Sequence, residues 1–215
     1  EEAERYDQAV SNYRTGIRNN PENMDLRVAL IGLLRKQGDV DGAIEAAKKA
    51  LKINSNSMDV YNNLGLAYLD NEEYALAQFV YQKALTIEGA DQNAYIRCNY
   101  GWTMYLKGEK GLANFQLQEA VKLDPELVPA LIYLSKLYME DRNYEDTIEL
   151  LERAAKKAPD NHGVQMNLGV AYRGVGRLED SAKAYETALQ LVPENSDPHY
   201  NLGILYGDYT KEYDK

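Results

Sequence analysis

The sequence predicts an all-α solenoid of stacked helical hairpins. Three observations lead there: a Leu-Gly dipeptide that returns at fixed spacing, small residues that recur between its copies, and prolines that close the intervals. Leu64-Gly65, Leu168-Gly169 and Leu202-Gly203 are each followed, three residues after the glycine, by Tyr68, Tyr172 and Tyr206. Gly169 and Gly203 lie 34 residues apart. Extending this frame puts unit starts at Met24, Met58, Ala94, Val128, His162 and Ser196, at spacings of 34, 36, 34, 34 and 34. The long step absorbs two residues in Gly89-Ala90-Asp91-Gln92, where a turn is expected.

The elements follow in order. Residues 3–18, with Tyr6, Ala9, Tyr13 and Ile17 at helical spacing, read as a second helix without its first. Five full units follow, each of two helices, as in Leu64, Ala67, Tyr68 and then Ala77, Tyr81, Ala84, Leu85. Gly38-Asp39, Gly108-Glu109 and Gly176-Arg177 read as the turns between the helices. Position 20 of each unit holds Ala43, Ala77, Ala113, Thr147 and Ser181, and position 27 holds Ala50, Ala84, Ala120, Ala154 and Ala188. Small side chains there let two helices approach closely. Position 24 carries Ala47, Tyr81, Leu117, Leu151 and Tyr185. Pro21, Pro125, Pro159 and Pro193 stop the second helices, because the ring cannot continue the hydrogen-bond ladder. A lone hairpin cannot bury its apolar face, so neighbours must stack. Residues 196–209 read as a first helix without its second. Tyr6, Tyr13 and Ile17 do not make the polar outer face of a cap, so a piece of a longer array is expected.

The Leu-Gly-x-x-Tyr, Ala, Ala and Pro pattern resembles the tetratricopeptide repeat across essentially the whole chain. The resemblance implies a right-handed α-α superhelical solenoid, read here as one domain over 1–215. It divides into a second helix at 1–23, full repeats at 24–57, 58–93, 94–127, 128–161 and 162–195, and a first helix at 196–215. The family's tryptophan at position 4 is missing. Arg27, Tyr61, Arg97, Leu131, Gln165 and His199 stand there, which predicts looser seams.

Composition narrows the function. A net charge of −10 repels nucleic acid, and no basic run exceeds Lys48-Lys49 or Lys156-Lys157. No apolar run is long enough to insert in a membrane. Cys98 is the single cysteine, so no disulfide forms within the chain; this suits a reducing cytosol or a cysteine-poor periplasm equally. No phosphate loop, nucleophile elbow or metal-ligand cluster is present, so neither an enzyme nor a cofactor is expected. Cys98 reads as a packed thiol, His162 as an exposed turn residue and His199 as a packing substitute for the missing tryptophan.

In the family the first helices line a concave groove, at positions 2, 5, 6, 9, 12 and 13. Position 6 here reads Ala29, Asn63, Asn99, Tyr133, Asn167 and Asn201. An asparagine amide offers both donor and acceptor, so such a row can hold the backbone of an extended peptide, or else satisfy neighbouring helices. Trp102 and Tyr105 share a helix face, and with Met139 and Met166 they make a candidate pocket for an apolar anchor, the alternative being that Trp102 packs between neighbouring repeats. Lys136 and Arg173 complete the expected partner-binding set. The lysine that a carboxylate clamp wants at position 5 is absent, so the chaperone-tail mode is not expected.

The expected function is therefore a scaffold that binds another protein or peptide segment. The alternative is self-assembly through the open ends. Asn62-Asn63-Leu64-Gly65-Leu66-Ala67-Tyr68-Leu69 and Pro198-His199-Tyr200-Asn201-Leu202-Gly203-Ile204-Leu205-Tyr206 also resemble bacterial envelope repeat proteins of the gliding-motility lipoprotein and pilotin type. That resemblance implies a periplasmic, outer-membrane-tethered scaffold in a motility, pilus or secretion assembly, the alternative being cytoplasmic.

Overall fold

The computed structural model describes the backbone of residues 2–213 and the side-chain surroundings of residues 4–207; Glu1, Asp214 and Lys215 lie outside the described residues. Among the described residues there are twelve α-helices, one short 3₁₀ turn and no strand. First helices are α2 (Met24–Gln37), α4 (Met58–Asp70), α6 (Ala94–Leu106), α8 (Val128–Glu140), α10 (His162–Gly174) and α12 (Ser196–Tyr213). Each begins at the residue where the frame begins a unit. Second helices are α1 (Glu2–Asn19), α3 (Val40–Leu51), α5 (Tyr74–Ala84), α7 (Lys110–Leu123), α9 (Tyr144–Lys157) and α11 (Leu178–Leu191). The two extra residues of the long step fall at the 3₁₀ turn Ala90–Gln92, entered through Gly89 at φ +80°.

The residues fall into two compact units, 1–119 and 120–215, divided within α7. In the first, α2–α3 and α4–α5 are hairpins, α1 packs on α2, and each second helix packs on the next first helix. In the second, α8–α9 and α10–α11 are hairpins, α9 packs on α10, and α12 packs on α11.

One turn closes every hairpin. Position 15 lies in the left-handed region five times: Gly38, Gly108 and Gly176 at φ +84°, +82° and +78°, and Glu72 and Arg142 at +57°. The next N–H then donates five residues back: Asp39 to Leu34, Glu73 to Tyr68, Glu109 to Met104, Asn143 to Tyr138 and Arg177 to Tyr172, all at 2.8–2.9 Å. This bond satisfies a carbonyl that the end of the first helix would otherwise leave unpaired. A side chain at positive φ is strained against its own carbonyl. Arg142→Gly is therefore expected to stabilise the protein by about 0.5–1 kcal/mol, after allowing for the extra freedom glycine gives the unfolded chain. Urea unfolding checks this; a lower midpoint for the variant would refute it.

The alanines at position 27 are fully buried, as are all five small residues at position 20. Position 8 complements position 24 in size. Gly65 meets Tyr81, Gly101 meets Leu117 and Gly169 meets Tyr185, so closely that an added Cβ would lie 2.3, 2.7 and 2.4 Å from the facing side chain. The first repeat reverses the sizes, with Ile31 at position 8 and Ala47 at position 24, both fully buried.

The seams without tryptophan are filled rather than loose. Leu131 and Tyr61 are buried at position 4. The two arginines there act as straps. Arg27 Nε donates to the Pro21 carbonyl at 3.0 Å and Arg97 Nε to the Asp91 carbonyl at 2.7 Å, each six residues upstream. Arg97 Nη1 also reaches Gln116 Oε1 at 3.0 Å. His199, expected to pack there, is exposed instead.

Candidate functional site

In residues 1–119 the expected binding residues come from α4 and α6. Asn99 donates its amide to Asn62 Oδ1 at 2.8 Å, bridging the two first helices. Asn62 Nδ2 and Asn99 Oδ1 then have no partner among the described residues, so the bridge presents both an amide donor group and an acceptor. Three residues along α6, Trp102 is half-buried and stacks on Tyr105, with ring centroids 4.9 Å apart and planes 12° from parallel. Asn63 spends its donor on the Asp59 carbonyl of its own helix at 2.9 Å.

In residues 120–215, Lys136, Met139 and Asn167 line a cleft of about 330 Å³ together with Glu140. Met166 is half-buried beside Asn167 in α10. Asn201 repeats the arrangement of Asn63, donating to the Asp197 carbonyl at 2.9 Å. Arg173 is half-buried, and its Nη1 is shut off from solvent without an acceptor. The row of amides is therefore not uniform. Two satisfy their own helix, one bridges to a neighbouring helix and one lines a cleft.

The histidines differ from expectation. His162 is not an exposed turn residue. It is half-buried at the start of α10, with Nδ1 3.0 Å from the Ala188 carbonyl and Nε2 2.8 Å from Asn195 Nδ2. Nδ1–H donates to the carbonyl and Nε2 accepts from the amide, so the ring ties α10 to α11 and to the turn after it. Both nitrogens are occupied in neutral histidine. Among the described residues no group of three His, Cys, Asp or Glu side chains could hold a metal ion, and no helix is long and apolar enough to cross a membrane.

Cys98 sits in the core at 1% exposure, and burial pushes its thiol up to about 12. The thiol is the form present below that value, so the nucleophilic thiolate is scarce at neutral pH. At about pH 8 a disulfide reagent should modify the folded protein at least about a hundredfold more slowly than the urea-unfolded chain. Equal rates would show that Cys98 is accessible and activated.

Sequence reasoning missed two features. Asn62 was not among the expected binding residues, because only its rotamer shows that it meets Asn99. Phe79 and Phe115, the chain's only phenylalanines, are 65% and 54% exposed at position 22 of adjacent second helices. The other repeats carry Glu45, Glu149 and Lys183 there. That contrast was readable in the repeat alignment.

Repeat-family models match well over half of the chain. One described as TPR repeat matches residues 33–72, and two described as Tetratricopeptide repeat match 59–91 and 134–196 with 166–210. The transcriptional regulator HilA of Salmonella typhimurium is 24% identical over 147 residues, 68% of this chain. The chain spans about a quarter of the length of the curated relatives it matches. Among solved structures, PilW, a widely conserved type IV pilus biogenesis factor, superposes with a TM-score of 0.77 at 18% identity, covering 92% of this chain and 90% of that one. YrrB, a TPR protein with an unusual peptide-binding site, gives 0.62 at 20% identity, covering 87% and 96%. At such identities the likeness is one of fold.

Proposed function

Because the chain belongs to the tetratricopeptide-repeat family, we propose that it is a protein-interaction scaffold whose first helices hold an extended segment of a partner. The observation that carries this reading is the Asn62–Asn99 bridge. Its unpaired donor and acceptor match the C=O and N–H of one peptide unit, and the Trp102–Tyr105 stack beside it offers a flat apolar surface for the partner's side chain. In residues 120–215 the same role falls to Lys136, Met139, Met166, Asn167 and Asn201, with the buried Nη1 of Arg173 in want of an acceptor.

Peptides selected from a random display library on the immobilised chain test the proposal. Those that bind should be extended, and Asn99→Ala should weaken them about fivefold, one hydrogen bond's worth. Selected peptides that bind Asn99→Ala and Trp102→Ala as tightly as wild type would refute it.

A second reading is self-assembly, for which Tyr206 and Tyr200 of α12 offer apolar surface at 49% and 71% exposure. A mass that rises with concentration in light scattering, and falls for Tyr206→Ser, would support it over partner binding. For the setting we propose a bacterial envelope assembly of the motility, pilus or secretion kind, on the resemblance of residues 62–69 and 198–206. Fractionation of cells expressing the full-length gene tests that placement.

A further inference from the structure

The cleft enclosed by α1, α2 and α3 has a character opposite to the rest of the chain. It measures about 300 Å³ and lies wholly within residues 1–119. Its floor is apolar: Leu30 and Leu34 are buried and Ile17 is half-buried. Its rim is cationic. Arg14 and Arg18 stand four residues apart on one face of α1, and Arg27 of α2 and Lys49 of α3 also line it. Glu45 is the one acidic residue in the lining, and Lys49 already pairs with it at 2.6 Å. Four cations thus gather around Glu45, with the Asp39 carboxylate at the mouth, on a chain of net charge −10.

The cations are only partly used. Arg18 donates from Nη2 to Thr15 Oγ1 at 2.8 Å, and Arg27 is committed to the Pro21 carbonyl. Arg14 makes no hydrogen bond or ion pair among the described residues, although its charge reaches Glu45. The mouth is left open at Gly42, because the Asp39 carboxylate that caps α3 occupies the space a Cβ would need, at 2.2 Å. The equivalent residues Leu76, Leu112, Asp146 and Asp180 all carry side chains.

We infer that this cleft is a second binding site, separate from the first-helix surface, for a partner protein segment that places an acidic side chain beside a large apolar one. The apolar side chain seats on Ile17, Leu30 and Leu34, and the carboxylate is met by Arg14 and Arg18. The volume sits at the low end for ligand clefts, the size for one side chain and its charged neighbour rather than a large ligand. Charge complementarity selects the occupant. The chain's average field repels acidic segments, and the cleft reverses that field locally. A two-fold contact of one cleft with another is disfavoured by the like charge of two such rims.

Fluorescence anisotropy of the whole chain with labelled synthetic peptides tests this. The probes are a Glu-Leu-Glu-Phe repeat, its Lys-Leu-Lys-Phe counterpart and its Glu-Ser-Glu-Ser counterpart. The first alone should bind, and more weakly as salt rises. Arg14→Glu with Arg18→Glu should weaken it by at least about tenfold, and the matching lysine pair should keep most of the affinity. Both arginines are exposed, so the fold should survive; the melting curve checks it. Ala46→Phe, which fills the cleft without changing charge, should also block binding. An unlabelled peptide selected on the first-helix surface should not displace the probe, which separates this site from the first-helix reading. Binding indifferent to the Glu variants or to Ala46→Phe overturns the inference. So does equal binding of the serine peptide, or dimerisation in light scattering that the cleft variants abolish.

Discussion

Replacing Gly169 with alanine should destabilise the protein by about 3 kcal/mol, near the top of the usual range for overfilling a core. The new Cβ would lie 2.4 Å from a ring carbon of Tyr185, which has no exposed surface and nowhere to move. The helices are also tied at this point, since Ser181 Oγ donates to the Gly169 carbonyl at 2.7 Å. Helix propensity works in the other direction, favouring alanine by about 1 kcal/mol, so a loss of stability identifies packing as the cause. Gly203 supplies the control. It is the same repeat position with nothing within 4 Å of an added Cβ, and Gly203→Ala should stabilise by up to about 1 kcal/mol. Tyr185→Leu should recover part of the cost in a double-mutant cycle. Equal unfolding midpoints for Gly169→Ala and wild type would show that the close approach is not real.

Replacing Trp102 with alanine should weaken binding of a selected groove peptide by about 2 kcal/mol or more, as expected of a central aromatic anchor. Trp102 is the chain's only tryptophan, so its emission reports directly on that place and should shift when the peptide binds. The half-buried indole stacks on Tyr105, and its removal also affects the fold; a core tryptophan costs about 3–5 kcal/mol on truncation. Trp102→Phe separates the two effects, since it keeps an aromatic ring against Tyr105 and loses only part of the contact surface. Reduced binding in the phenylalanine variant at an unchanged melting temperature supports the groove. A large loss of stability in the alanine variant, with full binding in the phenylalanine variant, would make Trp102 a packing residue.

The repeat register was legible because it is written in residues whose chemistry permits few alternatives. Small side chains at positions 20 and 27 mark where helices touch, and all ten positions are free of solvent. Gly38, Gly108 and Gly176 mark the left-handed turn, but Glu72 and Arg142 adopt it too, held by the same carbonyl five residues back. The binding surface was less legible. Four asparagines at one repeat position look alike in sequence, yet Asn63 and Asn201 turn back on their own helices while Asn99 crosses to Asn62. That choice depends on rotamers and neighbours, not on residue type. The cationic cleft escaped a linear scan for another reason. Arg14, Arg18, Arg27 and Lys49 form no basic run, and only the packing of three helices assembles them.

The reciprocal sizes at positions 8 and 24 bear on how such a chain can be inherited. Both members of each pair lie in one hairpin, so a crossover in a loop between hairpins passes them on together. A crossover in the turn inside a hairpin separates them. Joining α2 to α11 would drive Ile31 into the space of Tyr185, and joining α10 to α3 would leave Gly169 opposite Ala47 with a void between. Selection would remove both recombinants. The heritable module is therefore the hairpin counted from its first helix, and viable gains or losses of length should come in whole units broken at the inter-hairpin loops.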